Sequence, residues 1–350
     1  MSRNILILGA SYGSLLATKL AMAGHNVTMT CREATAARIN AAGTIVRIKL
    51  RGEDTHRALP SGALPGSVRA ITPTNVDPTR FDLVCLAMQE PQYRAPEIAW
   101  LMRQIALSGK PCLSIMNMPP LPYLMRLPGL QTSMLRAAYS CPEVWDGFQP
   151  GLVSLCSPDP QAFRPPEEAA NVLHVGLPTN FKAVPFEDPQ HTALLQELAD
   201  DIEAVRIDGK EVPVKLRVHD SLFVPLAKWS MLLTGNYRCV TADEPRSIRD
   251  AVHGDLALSA DVYAWVGHLA RRLGADPSDQ VPFEKYAKAA EALMKPSSAA
   301  RAIEAGAAQI ERVDRLVRTI GASMGTWHQE VDRVVDQVDA RLHLTARSIA

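Results

Sequence analysis

The chain carries no net charge: among its 350 residues, 37 are Lys or Arg and 37 are Asp or Glu. Its basic residues form no cluster longer than short pairs such as Arg271-Arg272. Nucleic-acid binders and membrane-surface proteins usually show at least a local basic excess, so neither nucleic acid nor a membrane is an expected partner. No apolar run reaches the roughly 18 residues that a spanning helix needs, and the apolar run at residues 5–8 is too short for a secretory leader. The six cysteines, Cys31, Cys85, Cys112, Cys141, Cys156 and Cys239, include no C-x-x-C pair and no other metal-ligand spacing. Several fall in apolar runs, as buried reduced thiols do. A metal site is not expected, and a reducing, cytoplasmic setting is. With 47% hydrophobic and 21% charged residues, the chain is core-forming rather than disordered.

Its length suits about two domains. Through about residue 190, short apolar runs alternate with helical patterns. Strands are expected at 5–8, 26–31, 44–50, 81–88 and 110–116, with further candidates at 133–139, 151–156 and 171–176. Strands apolar on both faces and separated by helices indicate a parallel sheet covered on both sides. From about 190 the pattern is helical almost throughout: 191–204, 220–235, 246–273, 283–294, 297–319 and 327–346. The expected fold class is therefore α/β, an N-terminal Rossmann-type parallel-sheet domain (1–212) followed by an all-helical domain (213–350). The last helical stretch spaces Val331, Val334, Val335, Val338 and Leu342 along one face, which suits packing on the body of the protein or on a second copy in a homodimer.

A full G-x-G-x-x-G is also missing. After the first strand the chain reads GASYGS, with Gly9 ending the strand and Gly13 opening the helix. A strand that turns sharply into a helix aims free backbone N–H groups and the positive end of the helix dipole at one spot, which suits a phosphate. Two glycines alone are a weak signal. Here they follow the first strand of a βαβ pattern, with Ser11 and Tyr12 as the turn over a pyrophosphate. The second strand ends at Cys31-Arg32. An acidic residue at that place would bind the ribose diol of NAD, whereas Arg32 suits the 2′-phosphate of NADP.

Several stretches, in order, resemble the ketopantoate reductase family of NADP-dependent reductases. They are GSLLATKLAMAGHNVTMTCR, FDLVCLAMQEPQ, LSIMNM, PLAKWSMLLTGN and PSSAARAIEAGAAQIERVDRLV. The resemblance implies an NADPH-dependent reduction of a 2-oxo acid to a 2-hydroxy acid. It implies Lys228 as the catalytic lysine, Asn117 as the asparagine near nicotinamide and substrate, Asn236 as a second helix asparagine, and Ser298 as the serine that receives the substrate carboxylate. The chain also departs from the family. Gln89 stands where the family has a lysine after its fourth strand, and Leu232 replaces an asparagine that helps to bind the family's hydroxylated acid. The late acidic position falls on Ile310, with Glu311 beside it; on one continuous helix that shift would turn the side chain by about 100°. Altered substrate preference is the expectation.

The residues also stand on their own. A carbonyl reductase needs a proton donor where negative charge develops, and a partly desolvated lysine supplies both proton and positive charge. Lys228 is the only charge in the apolar run from Ser221 to Leu233, where a lysine is either a snorkelling residue at a helix edge or a buried functional one. Ser297 or Ser298 can serve as an N-cap, and Asn236 can terminate a helix after Gly235. Two other functions stay open. One is an opine-type imine dehydrogenase, although no Asn…His-Pro stretch is present. The other is a non-catalytic dinucleotide-binding protein, which Gln89 and Leu232 favour. The apolar segment 118–128 and Leu232 point to a less polar substrate than ketopantoate.

Overall fold

The structure is a computed structural model, described over residues 1–349. Its residues fall into two compact units: Met1–Met88, Gln92–Arg126 and Glu143–Asp220 in the first, Gln89–Pro91, Leu127–Pro142 and the chain from Ser221 onward in the second.

The first unit is built on strands β1 (Asn4–Leu8), β2 (Asn26–Thr30), β3 (Ile45–Ile48), β4 (Arg57–Pro60), β5 (Ser67–Ile71), β6 (Leu83–Leu86), β7 (Cys112–Ile115), β8 (Val153–Ser157), β9 (Gln161–Phe163), β10 (Val172–Leu177), β11 (Phe181–Ala183), β12 (Arg206–Ile207), β13 (Lys210–Glu211) and β14 (Leu216–Val218). Its helices are α1 (Gly13–Met22), α2 (Glu33–Ala42), α3 (Pro96–Ser108), α4 (Leu121–Leu124) and α5 (Pro189–Ala204). Eight strands form the main sheet in the order β14-β11-β8-β7-β6-β1-β2-β5. The six from β8 to β5 are parallel, while β11 runs antiparallel to β8. The order reverses direction at β1 and β6, which is where open α/β sheets bind ligands, beyond the C-terminal strand ends.

Ile5, Leu6, Ile7 and Leu8 are all fully buried, as continuous apolar runs in a doubly covered sheet must be. The helix α1 is also buried at all ten positions, Lys19 included.

Several sequence expectations are corrected. Segments 44–50 and 171–176 do contain strands, but β3 and β10 belong to a separate four-stranded sheet, β4-β3-β10-β9. Segment 133–139 is a 3₁₀ helix, Thr132–Ala138, whose buried Leu135 and Ala138 recur at its three-residue repeat. The edge strand β5 escaped notice because only Ala70 in it is buried. The polar helix α2 was missed for a like reason, burying only Ala36 and Ile39. Pairing of β14 with β11 carries the main sheet on through Val218.

The second unit is helical: α6 (Ala227–Met231), α7 (Ile248–His253), α8 (Leu256–Arg272), α9 (Phe283–Ala290), α10 (Ser298–Glu304), α11 (Val313–Ser323) and α12 (Gln329–Ile349). Two long expected helices are broken. Asp255 ends one segment and caps the next, accepting from Leu258 N at 2.9 Å. Gly306, at φ +89°, takes the chain out of α10 into a loop. Val331, Val334, Val335 and Val338 of α12 are buried within the unit, so this stripe packs on the chain's own body. No helix among the described residues is long and apolar enough to cross a membrane. All six cysteines are free thiols, and no described cluster of His, Cys, Asp and Glu could hold a metal.

Candidate functional site

The C-terminal ends of β1, β2, β6 and β7 share one edge of the main sheet, and most of the sequence-derived candidates in the first unit lie there. Gly9 takes φ +101°, and a Cβ on it would lie 2.7 Å from Ala87 O and 2.8 Å from Met88 Cγ. Gly13 has ordinary dihedrals, but its Cβ would stand 2.6 Å from Ile7 Cγ2. The two glycines thus answer different needs: one permits the left-handed turn beside β6, the other lets α1 settle against β1. Within the loop, Ser14 N bonds Ser11 O at 3.2 Å and Leu15 N bonds Tyr12 O at 3.1 Å. Gly9 N is held by Thr30 O at 3.2 Å.

Ser11 is exposed at the tip. Tyr12 contributes only its backbone to the turn. Its ring packs edge-on against Phe181, with centroids 6.0 Å apart, and its hydroxyl donates to Pro160 O at 2.7 Å. Burial holds the Tyr12 hydroxyl protonated, well above the ordinary tyrosine range.

At the end of β2, Arg32 is exposed and occupies the N-cap position of α2. Beside it lies an arginine that the sequence did not single out. Arg164, just past β9, donates from Nη2 to Ala10 O of the glycine loop at 2.7 Å. Its Nε is buried and has no partner. Burial lowers the Arg164 pKa, and the nearby Arg32 charge lowers it further. Both guanidiniums oppose the rise that burial imposes on the Cys31 thiol, which places the three groups together.

Asn117 follows β7 by two residues and is half-buried; its Oδ1 is a buried acceptor without a donor. Such an atom costs roughly 1–3 kcal/mol until something donates to it. Most of the apolar segment after it is buried, with Met125 the exposed exception. Met118, Tyr123 and Leu124 are fully buried, Leu121 and Leu127 nearly so, and α4 packs on β8. The buried part of that hydrophobicity is taken up in packing, so it bears less directly on substrate polarity than its composition suggests.

In the second unit, Lys228 is half-buried on α6 among buried Leu226, Ala227, Trp229 and Ser230. The helix continues as a π-turn over Leu232–Asn236, not as the regular helix expected; such turns recur at functional sites. The turn sits where Gly235 leaves no room for a Cβ, which would lie 2.1 Å from Tyr286 Oη. Leu232 is buried, and Asn236 is half-buried at the end of the turn. Trp229 Nε1, Ser230 Oγ and Thr234 Oγ1 on the same stretch are buried without partners. These polar atoms went unnoticed in the sequence because a serine, threonine or tryptophan in an apolar helix reads as packing.

The two serines at the start of α10 differ in their surroundings. Ser297 is buried and caps the helix, accepting from Ala300 N at 3.2 Å and donating to Asn236 O at 2.7 Å. Ser298 is exposed in the first turn.

Glu311 lies in the loop between α10 and α11, so the rotation argued for a continuous helix does not apply. Its Oε1 accepts from Glu90 N at 3.3 Å, while its backbone carbonyl accepts from Tyr237 Oη at 2.6 Å. Ile310, by contrast, is buried. Gln89 is exposed and groups with this unit. The neighbouring Glu90 is buried, its Oε1 accepting from Ser140 N at 2.9 Å and Cys141 N at 3.0 Å. His328 has both ring nitrogens engaged, Nε2 with Asp261 Oδ2 at 3.0 Å and Nδ1 with Glu330 N at 3.2 Å.

No family model and no curated protein sequence matches the chain. Solved structures do match it over nearly their whole length. A protein assigned as a ketopantoate reductase, from Ralstonia solanacearum MolK2, superposes with a TM-score of 0.71 at 19% identity, covering 99% of both chains. The 2-dehydropantoate 2-reductase of Methylococcus capsulatus gives 0.68 at 14% identity, covering 98% of this chain and 97% of that one. A D-mandelate dehydrogenase holding NADH and anilino(oxo)acetate gives 0.64 at 13% identity, covering 98% and 99%. At these identities the likeness is one of fold: the chain is built as the ketopantoate reductases are, an α/β dinucleotide-type sheet followed by helices.

Proposed function

We propose that the protein is an NADPH-dependent reductase that converts a 2-oxo acid to the 2-hydroxy acid. The observation that carries this reading is the shared sheet edge of the first unit. Along that edge lie a loop whose Gly9 and Gly13 admit no Cβ and a buried carboxamide oxygen, Asn117 Oδ1, that lacks a donor. A bound dinucleotide fits both: its phosphates suit the start of α1, and a carboxamide N–H or a substrate hydroxyl suits Asn117. Arg32 favours the 2′-phosphorylated cofactor. When bound, the reduced cofactor supplies a hydride to the carbonyl carbon.

The chain's own residues do the rest. Lys228 gives a proton to the carbonyl oxygen, its positive charge stabilising the growing alkoxide, and is reprotonated from solvent. Ser298, exposed at the first turn of α10, receives the substrate carboxylate, with Asn236 and Glu311 as further substrate contacts. Gln89 serves the cofactor in place of the lysine of the resembling family. Buried Leu232 offers no hydrogen bond where that family has an asparagine. The substrate is accordingly a 2-oxo acid without ketopantoate's hydroxyl. The fold-alike D-mandelate dehydrogenase, holding an oxo acid anion, supports this class.

The test is NADPH oxidation across a panel of 2-oxo acids. Lys228→Ala should lower kcat by roughly 10²–10⁴-fold while the Kd for NADPH stays within about threefold. Unchanged turnover would remove Lys228 from the chemistry. Oxidation that depends on added amine would instead make the protein an imine-forming dehydrogenase.

A further inference from the structure

Where the described arginines of the first unit leave full exposure, most are neutralised. Arg3 pairs with Glu197, Arg47 with Glu168, and Arg57 with Glu53 and Asp208. Arg164 departs from this. It is half-buried, its only hydrogen bond among the described residues runs to a backbone carbonyl, and its Nε is buried without an acceptor. No described carboxylate pairs with it or with Arg32.

A half-buried guanidinium with a like charge near it and no counter-charge is unfavourable, and the buried, unpartnered Nε of Arg164 adds to the cost. The arrangement is relieved by an oxyanion that accepts from both. Its position narrows the choice of anion. Gly9 N bonds Thr30 O, so the glycine loop and the end of β2 are adjacent. Arg164 reaches Ala10 in that loop, and Arg32 stands two residues past β2. In a Rossmann sheet the end of the second strand faces the adenosine ribose, while the helix start faces the pyrophosphate. A guanidinium beside the end of β2 is thus on the ribose side.

We propose that Arg164 is a second cofactor-selecting residue, which completes with Arg32 a two-guanidinium seat for the ribose 2′-phosphate of the dinucleotide. The planar fork of Arg164 gives its free Nη hydrogens to phosphate oxygens while Nη2 stays on Ala10 O, which fixes the direction of the fork. The proposal rests on the dinucleotide reading above and goes beyond it in assigning cofactor choice to a residue far along the chain from the glycine loop.

The experiment measures Kd by calorimetry for NADPH, NADH, adenosine 2′,5′-bisphosphate and AMP, with the intact protein and with Arg164→Gln and Arg164→Lys. For Arg164→Gln, binding of NADPH and of the 2′,5′-bisphosphate should weaken by roughly 10- to 100-fold, with NADH and AMP changed by less than about threefold. Arg164→Lys should recover part of the loss, since charge remains but the fork does not. A Gln variant that loses NADPH and NADH equally overturns the assignment, because the arginine then serves the pyrophosphate or only the loop. A Gln variant with unchanged NADPH affinity overturns it as well, while the dinucleotide reading stands. Failure of the intact protein to bind either dinucleotide overturns both readings.

Discussion

Lys19 offers the sharpest physical test of the first unit. It lies on α1 and is fully buried, with Nζ 2.9 Å from Pro213 O and 3.3 Å from Val212 O. A neutral amine has two hydrogens, and two carbonyls receive them. An ammonium would carry a third with no described acceptor. Burial, reinforced by nearby Lys215 and only partly opposed by Glu203, lowers the Lys19 pKa from 10.5 to about 7. Between these values the unfolded chain binds a proton that the folded chain does not, so stability rises with pH across that window. The burden of folding against protonation is about 4 kcal/mol at pH 7 and about 2 kcal/mol at pH 9.

Lys19→Met keeps the length of the side chain and removes the titration. It also leaves two carbonyls unsatisfied, but that cost does not vary with pH. Urea or thermal unfolding of both proteins at pH 6, 7, 8 and 9 therefore isolates the effect in the difference between their profiles. From pH 7 to pH 9 the intact protein should gain about 2 kcal/mol on the variant, or roughly 4–8 °C in the midpoint of a unit of this size. Parallel profiles would show that Lys19 does not titrate in this range and would refute the argument from burial.

Other outcomes follow from the site. Gly9→Ala should destabilise the first unit by about 1–3 kcal/mol, because its Cβ has no place beside Ala87 O and its φ is left-handed; a melt shows the first and an NADPH titration the accompanying loss of affinity. Gly13→Val should abolish NADPH binding, and retained binding would refute the loop assignment. Ser297→Ala should cost about 1 kcal/mol of stability through the lost cap, whereas Ser298→Ala should leave stability within about 0.5 kcal/mol and raise KM for the oxo acid. If the two serines exchange these effects, their roles are reversed.

The outline of the fold could be read from local patterns. Runs such as ILIL and LVCL are apolar at every position because both faces of a central parallel strand are covered, and that burial is written in the residues themselves. The glycine loop was legible for the same reason: a turn that tolerates no Cβ leaves glycine in the sequence. Strands β5, β11 and β14 were harder, being short or half-exposed, so pairing with a neighbour rather than composition makes them strands. Helix breaks at Asp255 and Gly306 lay within runs whose periodicity continued across them.

The candidate site divides in the same way. Gly9, Gly13 and Arg32 were legible from their places at strand ends and Asn117 from the family resemblance; strand order brings those ends to one edge. How Ser297 ties α10 to Asn236, how Glu311 is engaged, and that most of residues 118–127 are buried were decided by contacts between distant segments. Arg164 shows the limit most clearly. In the sequence it is an arginine before two prolines, with Glu167 and Glu168 close by as apparent partners. In the fold Glu168 is taken by Arg47 and His174. Arg164 is left against a loop more than 150 residues earlier, a bond of sequence separation 154. Residue type sets what a side chain can do; which charge stands unpaired, and beside what, is a property of the closed chain, since an ion pair forms with the neighbour that folding supplies.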